Sequence, residues 1–157
     1  MRLILALFVV LAAWPAAPGE TIRARPGWAI HQSPLSYDEL RARLPSAIKA
    51  AGMGKVTEAG PTGVAANRGI EIPGSRVFGV FNNDFAVRTI RLSLSAMIEA
   101  PIRIYVTESP DGTSTLSYKI PSHVFAPYME EGGAELNAIA VELDVIFAQI
   151  AATALAP

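Results

Sequence analysis

The amino-acid sequence predicts an α+β fold, a two-layer domain in which an antiparallel sheet carries helices on one face. Three observations predict it. A strand pattern from Trp28 runs into a capped helix, a strictly alternating hairpin occupies residues 102–120, and one apolar stripe from Leu136 to Ile150 closes the chain. The composition suits such a domain: 157 residues, 51% hydrophobic, 17% charged, net charge −1 and mean hydropathy +0.33. A chain this apolar is not disordered, and its length fits one domain with a core of its own. The absence of cysteine excludes a disulfide framework, thiolate zinc sites, iron–sulfur ligation and a thiol nucleophile.

The first segment is not part of that fold. Arg2 precedes an uninterrupted apolar run from Leu3 to Ala13, followed by Trp14, Pro15 and small residues up to Ala17-Pro18-Gly19. This is the pattern of a secretory signal peptide spanning 1–19, with cleavage expected near Gly19. The apolar run would rise only about 17 Å as a helix, against about 30 Å of bilayer core, so it is too short for an anchor. The mature chain is therefore expected to be soluble and periplasmic or secreted, with residues 20–27 a flexible lead-in and 28–152 the domain.

Each element of the domain has its own signal. Trp28 to Ser33 reads as the first strand. Ser36 is the N-cap of a helix from Tyr37, with Glu39 as its capping-box partner and Leu35 and Leu40 spaced for a hydrophobic staple. Leu40, Leu44, Ala47, Ile48 and Ala51 form its apolar face, and Gly52 is the natural left-handed terminator. Pro45 removes the bond to the Arg41 carbonyl and predicts a kink or a break into two short helices. Lys55 to Glu58 and a piece within Val64 to Ile72 are weaker strand candidates, separated by the turn residues Gly60-Pro61-Thr62-Gly63. Val77 to Phe81 is a short continuous apolar run, the mark of a central strand buried on both faces. Phe85 to Met97 mixes two periods, and periodicity alone does not assign it. Ile102 to Thr107 and Thr115 to Ile120 alternate about Ser109-Pro110-Asp111-Gly112, a reverse turn, which predicts a hairpin with one wet face. Finally, Gly132-Gly133 separates a short turn at 123–131 from the last helix.

No standard catalytic or metal site is spelled out. A Gly-x-Ser-x-Gly elbow, a His-x-x-x-His pair and an Asp-x-Asp-x-Asp loop are all missing, and Gly52-Met53-Gly54 precedes a strand where a phosphate loop would open a helix. No catalytic residue, metal ligand or cofactor is assigned on this basis. The candidate binding residues are Asn82 and Asn83 at the exit of the apolar strand, Arg88 one helical turn beyond Asp84, and the two histidines, His31 and His123. The alternative reading is that these Asn and Asp residues cap the following segment, and Arg68, Arg76, Arg88, Arg91 and Arg103 read as scattered surface charges. With Arg2 removed, 12 basic residues face 14 acidic ones and no basic run remains, which excludes a nucleic-acid footprint.

The segment Val77 to Ala86, with Asn82-Asn83-Asp84 after the strand, then Ile98-Glu99-Ala100-Pro101 leading into Ile102 to Val106, the Asp111-Gly112 hairpin and Tyr118-Lys119-Ile120-Pro121, resembles the domain of unknown function 302 family. The resemblance covers about Trp28 to Ile150. It implies a strand, helix, four strands, helix order, similar to the repeat unit of TATA-box-binding proteins, a helical Phe85 to Leu94, and frequent dimerisation. The sequence departs from the family where Asn83 stands in place of a common proline. No activity comes with the family, and fold kinship is no evidence of DNA binding.

Three functions follow as expectations: a non-catalytic module binding a small apolar or anionic ligand in a pocket rimmed by Asn82, Asn83 and Arg88; a homodimeric structural or interaction protein; and a small hydrolase or lyase using a histidine.

Overall fold

A computed structural model describes residues 22–157. The leader and its cleavage near Gly19 lie outside the described residues. β1 (Trp28–Ser36) runs directly into α1 (Tyr37–Ala50), because the Ser36 hydroxyl accepts from the Glu39 amide while the Glu39 carboxylate accepts from the Ser36 amide. This is the predicted capping box. Gly52 takes φ +74 and Met53 donates back to the Ile48 carbonyl, ending the helix as its left-handed terminator requires. Of the two outcomes expected at Pro45, the break into two short helices does not occur: α1 runs through it. One bond is lost, but Leu40, Leu44, Ala47 and Ile48 bury the same face before and after it, and that burial holds the helix together.

β2 (Gly54–Ala59) follows, then α2 (Thr62–Asn67). The strand expected within Val64 to Ile72 is absent: 62–67 is helical and the rest is irregular. Ala65 and Ala66 favour the helix, and β2 already occupies the outer position of the sheet beside them. β3 (Ser75–Phe81) and β4 (Ile102–Glu108) are separated by α3 (Asn83–Leu92) and a 3-10 turn at Ser95–Glu99. The helix implied by the resemblance is thus present, two residues short of Leu94. β5 (Thr113–Lys119) returns through the 109–112 turn, closed by the Gly112 amide on the Ser109 carbonyl at 3.0 Å. After α4 (Pro121–Phe125), α5 (Met129–Leu155) crosses the sheet, interrupted at Gly133, whose φ of 54 and ψ of −145 leave the helical region.

All pairings are antiparallel, in the order β1-β5-β4-β3-β2, so the predicted α+β class holds. β4 is the middle strand; β3 is internal, yet Val77 and Phe81 stay half-buried, so it is not sealed on both sides as expected. The core lies between one sheet face and the helices. Phe78, Ile104, Val106 and Leu116 meet Leu44 and Ile48 of α1 and Leu143, Phe147 and Ile150 of α5 in one cluster of fully or nearly fully buried side chains. Because strand side chains alternate, the intervening residues stand on the opposite face, and none of them belongs to that cluster.

Candidate functional site

Register fixes what meets on this second face. Tyr105 lies opposite Ser117 on one side and Val77 on the other, and Ser117 lies opposite Ile30, so one transverse row reads Ile30, Ser117, Tyr105, Val77. The neighbouring row holds Trp28 opposite Lys119 and Gly79 opposite Arg103. Continuing the β4–β5 register by one residue sets Arg103 beside Lys119. The two rows are about 7 Å apart, two residues along each strand.

A cavity of about 320 Å³ opens over these rows, with Trp28, Val77, Tyr105 and Val124 as apolar wall and Arg103, Lys119, Ser117 and Glu99 as polar groups. Gly79 lies in the neighbouring row. A Cβ there would stand 2.2 Å from the Thr57 hydroxyl and 2.9 Å from the Pro101 ring, so the missing side chain lets Pro101 lie across β3. Arg25 stacks over the Trp28 ring at 5.0 Å. Glu99 is anchored by the Tyr128 hydroxyl, which donates to it at 2.8 Å, and this bond to an anion, with burial and nearby charge, holds the Tyr128 phenol above its ordinary value. Arg103 and Lys119 have no ion pair or side-chain hydrogen bond among the described residues.

Ser117 is the anomaly of the face. The hairpin pattern predicts a wet side for β5, yet Thr115 is 2% and Ser117 0% exposed. The Ser117 Oγ is buried without a hydrogen-bond partner. Buried hydroxyls without partners are uncommon because each one forfeits its bonds to water.

The sequence candidates are dispersed. Asn82 caps α3, accepting from the amides of Asp84 at 2.8 Å and Phe85 at 3.3 Å, and its amide donates to the Gly52 carbonyl at 3.0 Å. It lines a second cavity, between β3, α3 and α5, of about 30 Å³. That volume suits one water molecule, not an organic ligand. Asn83 is exposed at the start of α3 and Arg88 is held by Glu142 in a two-bond pair at 2.7 and 2.9 Å; neither lines that cavity. His31 stacks on Tyr118 with ring centroids 6.0 Å apart on the core side of β1. His123, on α4, is exposed and packs its ring against Gly27. Neither histidine lines either cavity, so these five residues are not one site. Of the other arginines, Arg76 pairs with Glu58 at 3.7 Å and only Arg103 reaches the open-face cavity. The residues missed were Trp28, Ser117 and Lys119. The hairpin itself was a signal for Ser117 and Lys119, since pairing about the 109–112 turn puts Tyr105 opposite Ser117, whereas Trp28, on β1, had none.

Fold and cavity together define an α+β domain with a small, positively rimmed recess on its sheet, bordered by Val124 of α4. The chain belongs to the family described as "Domain of unknown function DUF302", whose model matches residues 29–153. Its fold is similar to the crystal structure of an uncharacterized conserved protein DUF302 from Bacillus stearothermophilus, with TM-score 0.68 and 19% identity over 83% of this chain and 97% of the other. No curated protein matches the chain significantly.

Proposed function

We propose that this protein is an exported, non-catalytic binding module that holds a small, partly apolar ligand in the open-face cavity. The 320 Å³ recess, which brings an apolar wall together with Arg103 and Lys119, carries this reading. Recesses of this volume with an apolar wall and a few convergent polar groups are the common form of small-molecule sites. Export rests on the leader pattern at 1–19. The test is native mass spectrometry of protein purified from the periplasm, together with thermal shift against a panel of small molecules. A copurifying compound released on denaturation, or a saturable shift lost on filling the recess with Ser117→Leu, is the expected result. No bound compound, no saturable shift and no site for a hydrophobic dye overturn it.

A second reading, a homodimeric interaction protein, is favoured by large apolar side chains left in solvent, Leu94 at 74%, Ile98 at 80% and Val145 at 65% exposed. Light scattering across a concentration series decides it: a monomer at every concentration excludes this reading.

A further inference from the structure

We infer that the ligand of the open-face cavity is a small amphiphile with an anionic head: its carboxylate sits between Arg103 and Lys119, and its apolar body lies against Trp28 and Tyr105. This rests on the binding reading above and names the chemistry of the same site. The argument begins with a cost. Two cations close together on neighbouring strands repel each other. Arg103 of β4 and Lys119 of β5 line one cavity, and neither finds an anion among the described residues. The carboxylate sharing their cavity, Glu99, forms no ion pair with either and is engaged by the Tyr128 hydroxyl. An arriving anion relieves that repulsion and gains charge-assisted hydrogen bonds from both side chains.

A carboxylate has lone pairs enough for both donors. The remaining wall is apolar and partly aromatic, so the rest of the ligand is hydrocarbon. Size follows from volume. At about 30 Å³ for each water-sized group, the recess takes roughly ten non-hydrogen atoms, the size of a medium-chain or ring carboxylate.

The probes are octanoate and octanamide, which share a chain and differ in charge, titrated into the isotope-labelled exported protein and followed through the backbone amide signals of Ser117, Tyr105 and Lys119. Octanoate is expected to shift these signals saturably, to bind about tenfold more tightly than octanamide, and to lose that advantage in the Arg103→Gln, Lys119→Gln double variant and at high salt. Both substitutions are at exposed positions, and an unchanged amide spectrum elsewhere shows that the variant folds. Acetate, the head without the body, is expected to bind more weakly than octanoate. Equal binding of octanoate and octanamide, indifferent to the double variant, overturns the anionic head and leaves the cavity reading standing. Saturable shifts confined to other parts of the molecule, or none from either compound, overturn the cavity reading with it.

Discussion

Single side chains in this protein act in opposite directions on stability. Ser117→Ala removes a buried hydroxyl that has no partner among the described residues, so the protein is expected to gain about 1 kcal/mol in urea unfolding. Ser36→Ala does the reverse. It deletes the cap of α1 and is expected to cost about 1 kcal/mol, and Asn82→Ala, which loses two capping bonds and the tie to Gly52, is expected to cost about 1–2 kcal/mol. Carboxylates set the acid limit. A backbone bond from Ser36 lowers Glu39, a side-chain bond from Lys55 lowers Glu58, and one from Arg88 lowers Glu142. Each binds its proton less readily folded than unfolded, so its contribution is complete above the ordinary glutamate range and is lost as pH falls through the lower folded value. Urea midpoints are therefore expected to drop between about pH 6 and pH 3, and the drop is shallower in the Glu39, Glu58, Glu142 triple glutamine variant.

Elements were legible where their signal is local and opaque where it is not. The capping box of α1, its Gly52 terminator, the 109–112 hairpin and the stripe of α5 are read within a few residues, because caps, turns and helical periodicity involve near neighbours. Pro45 misled because tertiary burial outweighs one missing bond. The Val64 to Ile72 segment misled because short apolar runs suit either state. The open-face recess was invisible for a different reason: it is assembled from Trp28, Arg103 and Lys119 on three strands and exists only once register is known. Two predictions belong here. Pro45→Ala restores the bond to the Arg41 carbonyl and is expected to raise stability by about 1–2 kcal/mol in thermal unfolding. Gly79→Ala puts a methyl group against Thr57 and Pro101, and is expected to cost about 1–3 kcal/mol in thermal unfolding.

At the scale of the molecule, stability is graded from the middle of the sheet outward. β4 and β5 are internal and contribute Ile104, Val106 and Leu116 to the core, whereas every residue of β2 is exposed. Native-state hydrogen exchange is expected to find the slowest amides in β4, β5 and α5 and the fastest in β2 and α2; uniform protection would contradict this layering. The two margins of the sheet carry a further consequence. On β1, Pro34 has no amide hydrogen to offer and the register shifts between Ser33 and Ser36; on β2, the register shifts between Lys55 and Thr57, beside the charged pair Lys55 and Glu58. Both outer strands are thereby poor templates for an incoming strand, which is how natural sheets resist edge-to-edge fibre growth. A domain with no cysteine to cross-link it is in this way kept from polymerising, and whatever it meets must approach through a face.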